Sequence, residues 1–207
     1  MKIAILTSKN QWFIPFAKKL NKKIKDSKLF YSHDKIKDYD IVFILSYHKI
    51  IDKKTLLKNK ENVVIHASNL PAFKGFAPMF YQILKNYKNI VFSCLKADIN
   101  VDSGDIYFQK TLRLKGDELY DELRTKQGEF IIKLCLHFLK LYPNFKLKKQ
   151  NGVESFCKKR NPKDGELNIK KSINSQFNLL RICSNEEFPA FFYKNGKKYI
   201  LKIYRQD

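Results

Sequence analysis

Three short apolar runs, spaced by stretches of helical periodicity, constrain this chain more than any other feature. Residues 2–7 (KIAILT), 40–46 (DIVFILS) and 62–66 (NVVIH) are nearly unbroken in their apolar character. They are too short for buried helices and lack the alternation of a half-exposed strand, so they predict strands covered on both faces. Between the first two, Phe13, Phe16, Ala17, Leu20 and Ile24 recur at helical spacing, and Pro15 suits only the first turn of such a helix. Alternation of this kind predicts an α/β fold, a Rossmann-like, mostly parallel sheet flanked by helices.

Further along, Lys53 to Leu57 reads as a short helix or turn, and the loop ASNLPAFKGFAP leads into a helix, MFYQILKN. Residues 89–95 (NIVFSCL) predict a fourth strand, and IYFQKTLRL is strand-like. Leu119, Leu123, Phe130, Leu134, Phe138 and Leu141 draw the apolar stripe of a long helix over 117–141. Gly116 precedes it, and Asp117 with Glu118 is expected to complement its dipole. The composition changes at 142. Residues 143–172 read mostly as loop, SINSQFNLLRIC as an amphipathic helix, and FPAFFYKNGKKYILKIY as a terminal hairpin turning at Asn195-Gly196. We therefore expect a catalytic domain over 1–142 and, over 143–207, an extension of loop, helix and β-hairpin packed on the same domain.

At 207 residues the chain is long enough to bury roughly 70% of its unfolded surface without disulfide or metal staples. No apolar run approaches the ~20 residues of a membrane span, and the N-terminus does not read as a signal peptide. A soluble, cytoplasmic protein with no membrane partner is expected. The formal charge of +21 comes from 36 Lys and only 5 Arg. Nucleic-acid grips lean on Arg, so this charge favours an anionic small molecule and nucleic acid is not the expected partner. Cys94, Cys135, Cys157 and Cys183 have no CxxC spacing, and with His33, His48, His66 and His137 they form no recognisable metal array. No metal is expected; Cys94, Cys135 and Cys183 read as buried thiols.

Two polar residues stand where chemistry is possible. His66 ends a predicted internal strand, and open α/β sheets bind ligands outside the carboxyl ends of their strands. An imidazole there can exchange protons near neutral pH; it can equally be a structural cap. Asp102 follows the fourth strand within DINVDSGD. Its carboxylate can orient an imidazole or close an Asx-turn. Both lie after adjacent predicted strands, so they can meet in space.

The stretches VVIHASNLPAFKGFAPMFYQI and VDSGDIYFQ resemble the folate-dependent formyltransferases. That family includes the glycinamide ribonucleotide, methionyl-tRNA and amino-sugar formyltransferases. Their loop motif is matched by His66, Ser68, Leu70, Pro71, Lys74, Gly75, Ala77 and Pro78, and their Asp-x-Gly motif by Asp102, Gly104 and Ile106. Later segments are similar to the sugar-modifying branch through Arg160, Pro162 and Asp164, then Asn178, Arg181, Pro189, Ala190 and Phe191. The resemblance spans about residues 1–204. Transfer-RNA formyltransferases continue into a further barrel domain, so the length of this chain is expected to disfavour transfer RNA. One position departs from the pattern: the family's catalytic Asn, two residues before the His, is Val64. Val donates no hydrogen bond, and losing one oxyanion donor typically costs about 2.7–4 kcal/mol of transition-state stabilisation.

The resemblance implies formyl transfer from N10-formyltetrahydrofolate to the amine of a nucleotide-linked amino sugar. His66 would manage the proton or stabilise the oxyanion, and Asp102 would hold His66. Asn69 and Ser68 are the candidates to replace the missing donor. The folate would lie against Tyr47, His48, Ile50 and Ile51 on one side and Ala97, Asn100 and Val101 on the other. Lys74 and Arg181 would meet the phosphates of the sugar nucleotide, with Gly75, Phe76 and Pro78 beside them. Tyr47 and His48 can equally be surface loop, Lys74 a solvated lysine, and Phe76 and Tyr81 core. The C-terminal hairpin or the 117–141 helix can serve a homodimer or be core. Other readings are a phosphorylated amine as acceptor, another acyl donor, a weakly catalytic sugar-nucleotide binder, and a basic nucleic-acid-binding protein.

Overall fold

The computed structural model describes residues 1–206. Its elements in chain order are β1 (Ile3–Leu6), α1 (Ile14–Lys23), β2 (Lys28–Phe30), β3 (Ile41–Ile44), α2 (Lys53–Leu56) and β4 (Glu61–His66). They continue with β5 (Lys74–Gly75), α3 (Pro78–Leu84), β6 (Asn89–Lys96), β7 (Ile106–Arg113), α4 (Tyr120–Leu141) and β8 (Phe156–Cys157). The chain ends with α5 (Ile173–Arg181), β9 (Ala190–Lys194) and β10 (Lys197–Leu201). Six strands form the main sheet in the order β2-β1-β3-β4-β6-β7. The first four are mutually parallel, and β6 is antiparallel to both β4 and β7. The α/β architecture with a mostly parallel sheet is as expected, and the sheet is mixed because β6 reverses.

The main core lies on one face of the sheet. There Phe13, Ala17 and Leu20 of α1 and Leu123, Ile131, Leu134 and Phe138 of α4 meet Ile3, Ile5, Phe43, Val63 and Phe92. This accounts for the apolar character of the strands on that side. A second, smaller cluster gathers Ala4, Leu6, Ile36 and Val42, with Tyr39, Tyr47 and Ile51 packed against it. α4 begins at Tyr120 rather than 117, because Leu119 is extended and its N–H is taken by Glu122. Glu118 therefore does not complement the dipole from the first turn; it turns inward to the backbone N–H groups of Lys115 and Gly116. Residues 143–172 are mostly irregular, but β8 pairs with β5 in parallel. The C-terminal hairpin turns at Asn195 and Gly196, both at positive φ, the two-residue geometry that Asn-Gly favours.

Candidate functional site

His66 is the last residue of β4 and is 7% exposed. Its Nδ1 lies 3.3 Å from Asp102 Oδ1, and its Nε2 lies 2.9 Å from the carbonyl oxygen of Phe73. A carbonyl only accepts, so Nε2 carries a proton in this arrangement. The Asp102 carboxylate faces the opposite ring nitrogen, Nδ1. The other Asp102 oxygen accepts the N–H of Gly75 at 2.9 Å. The two residues thus meet, though not as loops leaving neighbouring strand ends. β6 runs antiparallel to β4, and it ends at Lys96 opposite Val63, three residues back from His66. The loop after it must fold back along the sheet. Gly104 permits this: a Cβ there would stand 1.8 Å from the Lys96 carbonyl oxygen.

The loop around His66 is held in an uncommon backbone path. Phe73, Gly75, Ala77 and Asp102 all have positive φ; for the non-glycine residues this is a conformation seen mostly where the surroundings enforce it. Much of the enforcement comes from residues 148–157. Ser155 accepts the N–H of Phe73 through Oγ and that of Lys74 through its carbonyl. The carbonyl of Cys157 accepts from Phe76, and Gln150 Nε2 donates to the carbonyls of Asp102 and Gly104 at 2.7 and 2.9 Å. Sequence reading passed over these residues because they act across 46 to 82 positions, inside a stretch without periodicity.

The remaining expected site residues divide. Val64 packs with Leu70, Leu95 and Ile106, so the position of the family Asn is apolar in its surroundings as well as in identity. Ser68 is fully buried, and its Oγ has no hydrogen-bond partner among the described residues. Asn69 is exposed, with Oδ1 accepting from Gln109 Nε2 at 2.9 Å. Tyr47 packs on the small cluster and bonds to His33 through its hydroxyl. His48 receives support from Ser8, its ring lies 6.3 Å from that of Phe76, and burial with the Lys159 charge pushes its imidazole below the ordinary range. Ile51 is partly buried, whereas Ile50, Val101 and Phe76 are exposed apolar side chains and Asn100 is exposed beside them. Ala97 donates to the carbonyl of Asn62. The His48–Phe76 contact brings the 46–51 loop beside the His66 loop, and exposed apolar side chains on these loops suit a flat heteroaromatic ring. Pro78 is buried at the start of α3, and the Tyr81 hydroxyl bonds the carbonyl of Lys158.

Two cations differ from expectation. Lys74 is 4% exposed; its ammonium is paired with Glu154, bonded to Ser103 Oγ at 2.8 Å and set over the Phe156 ring. It is neither a solvated lysine nor an open phosphate contact. Arg181 is 2% exposed and bonds Asn178 and the carbonyl of Glu118, with the Glu118 carboxylate 3.6 Å away. Burial acts against ionisation of Glu118, but Lys126 and the N–H groups of Lys115 and Gly116 outweigh it and hold the carboxyl at about 2. The structure ties Arg181 to the start of α4 and not to the His66 loop, because a guanidinium inside the protein stays only where its donors are matched. Cavities of about 630 Å³ and about 400 Å³ lie elsewhere, the first between α3 and α5 and the second between β7 and α4.

Comparison with known proteins agrees with this geometry. A family profile described as "Formyl transferase" matches residues 1–135. Methionyl-tRNA formyltransferase of Helicobacter pylori is 30% identical over 161 residues, covering 77% of this chain and 52% of that protein. The chain spans about half the length of such curated relatives. Among solved structures, methionyl-tRNA formyltransferase from Clostridium thermocellum superposes with a TM-score of 0.78 at 23% identity, over 97% of this chain and 96% of that one. HypX from Aquifex aeolicus in complex with tetrahydrofolic acid gives 0.77 at 15% identity, over 97% and 37%. A sugar N-formyltransferase from Shewanella gives 0.68 at 16% identity, over 100% and 98%. These structures share the fold. With His66 and Asp102 in contact at the motif positions and the profile spanning β1 to α4, the chain belongs to the formyl transferase family.

Proposed function

We propose that this protein transfers a formyl group from N10-formyltetrahydrofolate to the amine of a nucleotide-linked amino sugar. The observation that carries the reading is the His66–Asp102 pair, its imidazole buried at the carboxyl end of β4 beside loops with exposed apolar side chains. HypX, solved with tetrahydrofolic acid, has the same fold, which supports a folate as donor. The tail segments and the similarity to a sugar N-formyltransferase over 98% of that chain support an amino-sugar acceptor.

The neutral amine adds to the formyl carbon, and the carbonyl electron pair moves onto oxygen. When that pair returns, the bond to the folate nitrogen breaks, and the proton released by the new amide ends on that nitrogen. His66 Nε2–H is the donor for the developing negative oxygen or the departing nitrogen, once the Phe73 carbonyl gives way to the reacting group. Asp102 on Nδ1 balances the imidazolium and fixes the ring. Asn69 is the candidate for the donor that Val64 cannot supply; Ser68, buried without a hydrogen-bond partner, is second to it. Four free buried cysteines fit a reducing compartment such as the cytoplasm. Exposed Tyr193, Tyr199 and Ile200 on the terminal hairpin suit a homodimer, which sedimentation tests: a monomer at micromolar concentration contradicts it.

A second reading has its own support. The charge of +21 and the relatives named as methionyl-tRNA formyltransferases favour a polyanionic acceptor. A methionyl-tRNA formyltransferase of nearly this length superposes on the chain, so length does not separate the two. Mass spectrometry does. The protein is incubated with N10-formyltetrahydrofolate and a panel of UDP- and dTDP-amino sugars alongside methionyl-tRNA. The proposal expects one formyl group added to an amino sugar and none by H66A. Formylation of methionyl-tRNA alone contradicts the sugar assignment, and transfer by H66A at the wild-type rate contradicts the site.

A further inference from the structure

Across the sheet from His66, a chain of hydrogen bonds has its direction fixed at one end. Ser93 of β6 stands directly opposite His66, and Gln109 of β7 directly opposite Ser93. Such partners share a face of the sheet, with Cβ atoms about 4.5–5.5 Å apart. The Ser93 hydroxyl lies 2.7 Å from the backbone carbonyl of Ser68. That carbonyl only accepts, so the single hydroxyl proton of Ser93 goes to it. Ser93 Oγ must then accept from Gln109, whose amide is 2.9 Å away, and the Gln109 nitrogen is the end that faces it. The same nitrogen has its second proton directed at Asn69, 2.9 Å away. The Asn69 amide is therefore set with its oxygen on Gln109 and its nitrogen away from it. Side-chain amide orientation is usually ambiguous from heavy atoms alone; here a backbone carbonyl removes the ambiguity for two amides at once.

We propose that Gln109 is a positioning residue that makes Asn69 present N–H donors, rather than its carbonyl oxygen, to the oxyanion formed beside His66. The inference rests on the formyl-transfer reading above and supplies what Val64 removes. Asn69 lies three residues beyond His66, and its Nδ2 has no partner among the described residues. Its amide is linked through Gln109 to Ser93, the direct cross-strand partner of His66. Gln109 is exposed, so it can be replaced without opening a core.

The test turns on an asymmetry. In Q109E the carboxylate only accepts, so Asn69 rotates to donate to it and offers its oxygen to the site. In Q109K the ammonium only donates, so the native orientation is kept. With N10-formyltetrahydrofolate and the acceptor found by the mass-spectrometric panel, N69A and N69D are expected to lose about 100- to 1000-fold in kcat, as for one oxyanion donor. Q109E should fall into the same range with the KM for folate unchanged, and Q109K should keep activity within about tenfold of wild type. A Q109E enzyme as fast as wild type, or Q109K and Q109E slowed equally, overturns the inference. Side-chain amide NMR reads the orientation without turnover. In wild type the Asn69 amide protons should exchange freely; in Q109E one should be protected and shifted downfield. Protected Asn69 protons in wild type overturn the relay. The expected spectra with no formyl transfer by wild type would instead overturn the formyl-transfer reading, and with it the role of Asn69.

Discussion

The chemistry of individual residues is decided by which partner is buried. Lys74 is almost wholly enclosed while its partner Glu154 is half exposed, so the two ends of this ion pair are not equivalent. Removing the carboxylate leaves an ammonium inside the protein with only Ser103 and the Phe156 ring for support. Removing the ammonium leaves a carboxylate that water can solvate. E154Q is therefore expected to lose about 1.5–3 kcal/mol, the range for a hydrogen bond to a charged group, and K74M less than half of that. Urea unfolding midpoints of the two variants check this order, and equal losses contradict it. The loop that carries Lys74 also carries the Phe73 carbonyl on His66 Nε2 and the Gly75 N–H on Asp102. Slackening the pair is thus a disturbance felt at the imidazole.

Elements place these residues, and the reversal of β6 is the decisive one. Because β6 ends beside the start of β4, the loop that holds Asp102 must fold back over the Lys96 carbonyl, and Gly104 is where the backbones come closest. G104A puts a methyl group where no side-chain rearrangement can make room. It should unfix the Asp102 loop and abolish formyl transfer, while circular dichroism still reports the α1–α4 layer; wild-type transfer by G104A contradicts this path. The sequence showed β1, β3 and β4 as apolar runs, α4 as a stripe and the hairpin through Asn195-Gly196, because these features are local. It did not show β2, a three-residue edge strand, or the β5–β8 pair, because backbone pairing across the chain leaves no pattern in either partner. The approach of Asp102 to His66 was legible through motif spacing. Gln150, Ser155 and Gln109 were not, since each acts on a backbone carbonyl, a backbone N–H or an amide distant in sequence. Arg181 was visible as a basic residue, but a motif-like setting does not reveal that its guanidinium is enclosed.

At the scale of the whole molecule, the C-terminal residues are fastened to the sheet domain at the site and at Glu118. The Glu118 carboxyl sits at about 2 in the folded protein against an ordinary value of 4.5. The folded state therefore keeps it ionised where the unfolded chain would protonate it. Its contribution is fully present above pH 4.5 and is lost as pH falls toward 2. Thermal unfolding from pH 6 down to pH 2 should show this as a steep loss of stability in the wild type and a shallower one in E118Q; identical slopes contradict it. The proposed chemistry assigns transfer of a one-carbon group from folate to an amine to the His66–Asp102 pair. The most direct measurement is single-turnover transfer of 13C-labelled formyl, followed by NMR in wild type and D102N. The account predicts that the label reaches the acceptor nitrogen in wild type and does so at least about 100-fold more slowly in folded D102N. Equal rates in the two proteins, or label that leaves the folate only as free formate, would contradict it.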